Sequence, residues 1–257
     1  MATLKLYVTK SLEENAGIHY EKAKKWRNKL AGAKKALEAS KIRFKVIEAK
    51  QTLSQDVMSK KRIEKKEWYE KFRWFISSEG FLVIGGRDAS TNDILIKKFT
   101  ENNDIVFHTD MAGSPFFVIK SDNKSIGEQT IQETSDATVS YSRAWKLGIN
   151  STEVFSVSPE QLSKKAPPGE YIKKGAFMIY GKKNYIQNKA NLSIGINDKG
   201  KIMGGPLNAV KVNCEKYVII SQGKKSASDV AKSIQRKIGG DLDEIIRALP
   251  SGGSEIA

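Results

Sequence analysis

The first quarter of the chain carries apolar residues at helical spacing. Apolar or small positions advance by four and three residues from Leu12 to Leu37, with lysine and arginine filling many of the positions between them. This alternation predicts a long helix with a heptad seam. No proline occurs before Pro115, so nothing in the sequence breaks the helix before about residue 70. The seam consists of Leu12, Ala16, His19, Ala23, Trp26, Leu30, Ala33 and Leu37.

A single long helix would expose this seam, so we expect the helix to have a partner. This need favours an antiparallel coiled-coil hairpin with its turn between Ser40 and Asp56. The second helix would run through Phe44, Ile47, Leu53, Val57 and Ile63. The alternative is a solvated linker helix whose charges keep it soluble.

After Glu70 the pattern changes to short apolar runs with interspersed helices. A hairpin is predicted at residues 73–84, with its turn at Ser78-Glu79-Gly80. A helix over 89–99 is predicted to begin with Ser90 or Thr91 as its cap. Further strands are predicted at 104–109, 116–120, 154–157, 176–180, 185–186, 192–196 and 217–221, and further helices at 128–147, 226–238 and 241–249.

These elements predict an α+β fold, in which a basic helical hairpin precedes a mixed β-sheet domain with packed helices. We divide the chain into a coiled-coil arm (1–72), a central domain (73–198) and a C-terminal α/β extension (199–257). The last residues, 250–257, are expected to be disordered.

Composition excludes several classes of protein. No run of 18 apolar residues occurs, and the N-terminus lacks the apolar stretch of a signal peptide. Cys214 is the one cysteine, which excludes an internal disulfide and a cysteine zinc cluster. Two histidines, His19 and His108, are too few for most histidine metal sites. We expect a cytoplasmic protein without a metal or cofactor.

The net charge of +15 predicts a polyanionic partner such as RNA. Residues 1–73 contain 20 basic and 9 acidic side chains, a net charge of +11. The remaining 184 residues contain 24 and 20, a net charge of +4. The arm therefore holds most of the excess positive charge and is a candidate surface for binding the phosphates of RNA.

The stretch FLVIGGRDASTND (81–93) runs from an apolar strand through two glycines into a helix start. Neither phosphate-loop signature, G-x-x-x-x-G-K-[ST] or G-x-G-x-x-G, is present. Asp88 and Asp93 place negative charge where a phosphate would lie, so a nucleotide cradle is disfavoured. Two interpretations stay open, a glycine turn with an Arg87–Asp88 pair and a contact from Arg87 to RNA.

The stretch FHTDMAGSP (107–115) places Asp110 two residues after His108. An acid–base pair, with Ser114 as nucleophile, is one interpretation, but no G-x-S-x-G elbow accompanies it. A structural pair, with Asp110 holding one tautomer of His108, is the plainer account. A contact from these residues to a ligand or RNA is the third.

Two further stretches combine aromatic and basic residues. In SYSRAW (140–145), Tyr141 and Trp145 are expected in the core, and Arg143 is expected to be free to reach a partner. In 164–185, basic pairs recur beside tyrosines, an arrangement that suits RNA because lysines bind phosphates and aromatic rings accept bases. The pairs are Lys164-Lys165, Lys173-Lys174 and Lys182-Lys183, and the tyrosines are Tyr171, Tyr180 and Tyr185.

Four motifs in this order resemble the NFACT RNA-binding domain of the NEMF/RqcH family of ribosome quality-control factors. The motifs are EKFRWFISSEGFLVIGGRDASTND (70–93), DIVFHTDMAGSPFFVIK (104–120), SYSRAW (140–145) and APPGEYIKKGAFMIYGKKNY (166–185). Residues 11–40 resemble the middle coiled coil of the family, and 239–256 resemble archaeal members. The N-terminal family domain that resembles DNA-glycosylase folds has no counterpart in this sequence, so we do not expect tail synthesis by this chain alone.

The resemblance implies a non-enzymatic module that binds tRNA and ribosomal RNA on the large ribosomal subunit and acts on stalled nascent chains. Two alternatives stay open, an RNA- or nucleotide-processing enzyme that uses His108 and Asp110, and a scaffold whose coiled coil binds a ubiquitin ligase or a ribosomal protein. No membrane partner is expected. The resemblance and the basic pairs together predict thirteen RNA-binding residues. They are Arg87, Asp88, Asn92, Asp93, His108, Asp110, Gly113, Arg143, Lys173, Lys174, Lys182, Lys183 and Asn184.

Overall fold

A computed structural model of the protein describes residues 5–58, 67–166, 169 and 171–257. The chain forms two compact units, Met1–Lys65 and Lys66–Ala257. In the described part of the chain, no helix is long and apolar enough to cross a membrane.

The described residues of the first unit form one helix, α1 (Leu12–Met58). Its start is a capping box, in which the Ser11 hydroxyl accepts from the Glu14 backbone and Glu14 accepts from the Ser11 backbone. Most of the seam side chains are exposed, although His19 is half-buried; Trp26 is 65% exposed and Leu30 is 58% exposed.

The predicted hairpin turn between Ser40 and Asp56 is wrong, because α1 continues through this segment to Met58. Residues 33–58 contain no glycine or proline and consist largely of strong helix formers, so nothing local ends the helix. Phe44, Ile47, Leu53 and Val57 therefore belong to α1. Ile63 lies outside the described residues.

In the second unit, the described strands form two main antiparallel sheets and one short strand pair. The first sheet has the order β1-β2-β4-β3-β5-β8, formed by β1 (Arg73–Ile76), β2 (Leu82–Gly85), β3 (Ile105–Thr109), β4 (Phe117–Ile119), β5 (Val154–Val157) and β8 (Asn184–Ile186). A short pair joins β6 (Leu162–Ser163) to β7 (Met178–Ile179). The second sheet has the order β10-β9-β11-β12, formed by β9 (Leu192–Asn197), β10 (Ile202–Gly205), β11 (Cys214–Lys225) and β12 (Ser254–Ile256).

Six α-helices of the described chain accompany these sheets. They are α2 (Ala89–Lys98), α3 (Glu128–Ser140), α4 (Arg143–Lys146), α5 (Leu207–Asn213), α6 (Ala227–Ile238) and α7 (Leu242–Ala248). The single helix predicted over 128–147 is divided, because Ser142 adopts an extended conformation and caps α4 through its side chain. The α+β class is confirmed. The predicted burial of Tyr141 and Trp145 is also confirmed.

Two details of the predicted sheet domain are wrong. The sheets are antiparallel throughout their described strand pairs, whereas a mixed sheet was expected. Most sequential strands are joined by connections too short for a parallel crossover. The tail expected to be disordered contains β12, which pairs with β11. Trp145 anchors this tail by donating from Nε1 to the Gly253 carbonyl at 3.1 Å.

Both faces of the first sheet are buried at its central strands. Phe107 and Phe117 point to the larger core, which also contains the second sheet, α3 and α6. Their neighbours Val106, Phe116 and Val118 point to a smaller core against α2. The ends of β2 and β3 are thereby held rigidly, and the loops that follow them carry several of the predicted RNA-binding residues. The three-part division at residues 72 and 198 stays a prediction; residue 198 lies in the turn between β9 and β10.

Candidate nucleic-acid interface

A cleft of about 770 Å³ opens where four segments of the second unit meet. The segments are the start of α2, the loop after β3, helix α4 and residues 173–177. Each of them comes from one of the four motifs quoted above, which are far apart in sequence. The cleft is lined by eight of the thirteen predicted residues, namely Arg87, Asp88, Asn92, His108, Gly113, Arg143, Lys173 and Lys174.

This basic cleft carries a large excess of positive charge. Its lining includes six basic side chains, Arg73, Arg87, Arg143, Lys146, Lys173 and Lys174. Asp88 is the one carboxylate in that lining. Among the described residues, no carboxylate lies within ion-pairing distance of any of the six. Four of the six are exposed to solvent, namely Arg143, Lys146, Lys173 and Lys174.

Asp88 is occupied by the backbone of α2. Its side chain accepts from the Thr91 backbone at 2.8 Å, and the Thr91 hydroxyl accepts from the Asp88 backbone at 2.9 Å. These hydrogen bonds lower the pKa of Asp88, chiefly through the Thr91 N–H. The predicted cap, Ser90 or Thr91, is wrong, because Asp88 takes the N-cap position. Its carboxylate fills the place where a phosphate would bind the helix start.

Arg87 and Arg73 are held by backbone carbonyl groups. Arg87 donates from Nη2 to the Arg247 carbonyl at 2.9 Å, and Arg73 donates from Nη1 to the Leu249 carbonyl at 3.0 Å. Burial, together with the neighbouring charge of Arg87, lowers the pKa of Arg73 to about 10. Carbonyl partners orient the guanidinium groups without cancelling their charge.

The ring of Tyr141 supports Arg73, whose guanidinium carbon lies 4.3 Å from the ring centroid. The Tyr141 hydroxyl donates to the Ala248 carbonyl at 2.8 Å. Arg73, the first residue of β1, was not among the predicted site residues. Its guanidinium is held by carbonyl groups of the distant C-terminal segment 247–249, which no local sequence pattern indicates.

His108 lies deep in the cleft. Its Nε2 is 3.2 Å from the Ser114 carbonyl, and its ring stacks on Phe116 with the centroids 4.2 Å apart. Burial lowers the pKa of His108 to about 4, so the imidazole is neutral at pH 7. The expected hydrogen-bonded pair with Asp110 is wrong, because Asp110 turns outward to other partners.

Those partners come from the neighbouring edge strand. Lys183 lies 2.5 Å from one oxygen of Asp110, and the Tyr185 hydroxyl donates to the other oxygen at 2.9 Å. The hydrogen bond to Asp110 raises the pKa of Lys183. Lys183 is thus partly neutralised, unlike the lysines of the cleft. Asp110, Lys182, Lys183 and Asn184 all lie outside the cleft lining.

Asp93 is the remaining predicted residue, and it holds the segment that carries Lys173 and Lys174 in place through hydrogen bonds and ion pairs. It lies 2.7 Å from Lys164 Nζ and 3.0 Å from Lys97 Nζ, and it accepts from the Gly175 backbone at 2.8 Å. Burial raises the pKa of Asp93, but the hydrogen bonds from Lys164 and Lys97 outweigh it and lower the pKa to about 2. The role of Asp93 in this structure is to position its neighbours.

Gly175 lets this segment approach α2 closely. It has φ of +79°, and a Cβ there would lie 2.5 Å from the Ala89 Cα. We expect Gly175→Ala to displace residues 173–177 and to weaken RNA binding several-fold, since Lys173 and Lys174 would leave the cleft. Fluorescence anisotropy with a labelled tRNA measures this change.

Gly200→Ala is the matched control for that substitution. Gly200 has φ of +72° and no neighbouring atom within 4 Å of the added Cβ. The control incurs the same backbone strain, of about 1–2 kcal/mol, without the collision. Equal RNA binding by the two variants would contradict the positioning role of Gly175.

Comparisons with known proteins confirm the resemblance predicted from the motifs. Residues 71–181 match the family model described as the NFACT protein RNA binding domain. The chain is 42% identical over 206 residues to the archaeal Rqc2 homolog aRqcH of Methanocaldococcus jannaschii, covering 77% of this chain and 31% of the relative. It is also 42% identical over 157 residues to the human ribosome quality control complex subunit NEMF, covering 59% of this chain and 14% of the relative.

The chain thus spans less than a third of the length of these two relatives. Among solved structures, it is similar to the C-terminal part of a fibronectin/fibrinogen-binding protein from Streptococcus suis. That similarity has a TM-score of 0.39 and 19% identity over 50% of this chain and 48% of the other.

Proposed function

We propose, from the match of residues 71–181 to the NFACT RNA-binding domain, that this protein is an RNA-binding module of a ribosome-associated quality-control factor. It would bind tRNA or the RNA of the large ribosomal subunit, in the cytoplasm, and act on stalled nascent chains. The observation that carries the proposal is the basic cleft, where six basic side chains are without a carboxylate partner among the described residues.

The charge distribution supports a polyphosphate ligand. Lysines elsewhere on the same unit, such as Lys164 and Lys183, are paired with carboxylates. The basic residues of the cleft are drawn from four segments and surround one concavity, so they can engage several phosphates of one strand. Such contacts release counterions, which makes the affinity depend steeply on salt.

The geometry favours binding over catalysis. His108 is neutral at pH 7 and contacts the Ser114 carbonyl, while Asp110 pairs with Lys183. The Ser114 hydroxyl donates to the Met111 carbonyl at 2.8 Å and lies 2.6 Å from the Thr109 hydroxyl. These partners support structural roles for the residues that an acid–base mechanism would need, and we propose no reaction for this chain.

The arm supplies a second proposed surface. Its exposed seam, with Trp26 and Leu30, has the apolar character of a helix that packs against a partner. We propose that this seam contacts a protein, either a ribosomal protein or a ubiquitin ligase. The lysines between the seam positions would add affinity for ribosomal RNA.

The first test of the proposal replaces Lys173 and Lys174 by alanine. If both contact phosphate, the slope of log affinity against log salt should become shallower by about 1.4 for single-stranded RNA, since each contact contributes about 0.7. The affinity for a tRNA transcript should fall roughly tenfold at low salt. Titrations at several salt concentrations give both values.

The matched control replaces Lys211 and Lys232, two exposed lysines outside the cleft lining. It lowers the net charge by the same two units. If both double variants lose the same affinity and slope, RNA binding follows the overall charge, and the proposed role of the basic cleft is wrong.

A further inference from the structure

We propose that the basic cleft holds one unpaired nucleotide of RNA, with the base against its apolar floor and the flanking phosphates against its basic rim. This inference rests on the proposed function, because it names the form of RNA that the cleft takes. Two chemically distinct zones of one cavity carry the inference.

The floor of the cleft is apolar and aromatic. Phe177 and Ile179 line it beside His108 and Phe116. Phe177 is half-buried and is held by the Phe116 ring, whose centroid lies 5.5 Å away at 85°. His108 is neutral at pH 7, and Lys164 Nζ lies 4.2 Å from the Phe177 ring centroid, so a base would stack on the Phe177 face opposite Lys164.

The rim carries the charge. Arg143, Lys146, Lys173 and Lys174 are exposed around the opening. A nucleotide has the same division, with a flat base whose faces are apolar and a phosphate on each side. Aromatic rings below and cations above are the combination that single-stranded RNA requires.

The loop after β3, which forms one wall of the cleft at Gly113 and Ser114, is held by its own hydrogen bonds. Thr109 and Ser114 are buried, and their hydroxyls lie 2.6 Å apart. The Met111 carbonyl accepts from the Ser114 hydroxyl at 2.8 Å, which closes the loop on itself. Gly113 lines the cleft with φ of +85°, a conformation that favours glycine. A preformed wall lowers the entropy lost on binding.

The size of the cavity argues for an inserted base. Its volume of about 770 Å³ lies within the range of pockets that enclose small ligands, about 300–1,000 Å³. A duplex keeps its bases paired and stacked, so it would contact the rim and leave the floor empty. An unpaired base fills the concavity and removes the ring surfaces from water.

The experiment compares three RNA ligands with the full chain. One is a blunt RNA hairpin, the second adds a short unpaired 3′ extension, and the third has the same extension with abasic nucleotides. The second and third carry equal charge. We expect the base-bearing extension to bind about tenfold more tightly than the abasic one, because each stacked base adds affinity of that order.

Phe177→Leu should abolish the difference in affinity between the two extensions. Leucine keeps an apolar side chain against Phe116 but removes the flat ring. Phe177→Tyr keeps the ring and should retain the difference. A readout that needs no variant is 2-aminopurine at the unpaired position, whose fluorescence should be quenched when the base stacks in the cleft.

The outcomes separate this inference from the proposed function. If all three RNAs bind equally and 2-aminopurine is not quenched, the cleft binds phosphates alone and the proposal of an inserted nucleotide is wrong. If none of the RNAs binds at low salt, the proposed function itself is wrong. A preference for the base-bearing extension that survives Phe177→Leu would place the base outside the cleft and would also overturn the inference.

Discussion

Reversing the charge of Arg143 and Lys146 is expected to weaken RNA binding roughly a hundredfold at low salt, because two attractive phosphate contacts become repulsive. Both side chains are exposed on α4 and line the basic cleft. The variant Arg143→Glu, Lys146→Glu can therefore fold normally while the cleft loses most of its excess charge. Anisotropy with a tRNA transcript measures the loss, and thermal unfolding checks that the fold is intact.

The matched control is Lys211→Glu, Lys232→Glu. Each double variant reverses two charges, which changes the net charge from +15 to +11. Lys211 also lies in the last turn of a short helix, as Lys146 does. We expect the control to lose affinity only a few-fold, through long-range attraction. A hundredfold loss in both variants would show that RNA responds to the total charge and not to the cleft.

The largest effect on stability is expected from Lys120→Met. Lys120 lies 2.6 Å from Asp104 and 3.1 Å from Glu101, and the side chains of Lys120 and Asp104 are 7% and 1% exposed. Removing the lysine leaves a buried carboxylate without its charged partner, which costs about 3–5 kcal/mol of unfolding free energy. Urea unfolding followed by circular dichroism measures the difference.

This pair also matters for the cleft. Asp104 precedes β3 and accepts from the Ser121 backbone at 3.0 Å, so the pair ties the start of β3 to the end of β4. The other end of β3 carries His108 and the loop that forms the cleft wall.

Lys97→Met is the control for this stability effect. It removes an ion pair whose lysine is 52% exposed, and such pairs contribute about 0–1 kcal/mol. If Lys120→Met were no more destabilising than Lys97→Met, the stabilising role of the buried Lys120–Asp104 pair would be contradicted.

Local signals predicted the local elements well. The hairpin at residues 73–84 needed only two apolar runs and Gly80, which has φ of +85°. A helix was predicted over 226–238 with glycine after its end, and α6 ends at Ile238 before Gly239; the structure adds that Ser226 caps its start. The α+β class followed from such elements, since their identity depends on neighbours in the sequence.

The errors arose where distant residues decide the outcome. Asp110 was assigned to His108 because the two are close in sequence, but Lys183, 73 residues away, is its partner. The direction of the strands depends on how the chain connects them, which apolar patterns do not encode. Arg73 was missed because its carbonyl partners lie more than 170 residues further along the chain.

The hairpin in the arm was a different kind of error. The heptad spacing predicted a partner for the seam of α1, but it did not show where that partner would come from. Continuous helix formers through Met58 outweighed the expectation that the chain would turn back.

The measurement that tests the central claim most directly is ultraviolet crosslinking of the full chain to tRNA and to large-subunit RNA, with the adducts located by mass spectrometry. The account predicts adducts on peptides from the four cleft segments, residues 86–92, 108–116, 141–146 and 171–177, and their loss in the Arg143→Glu, Lys146→Glu variant. Adducts confined to the arm or to the surface of α6, with the cleft peptides unmodified, would contradict it.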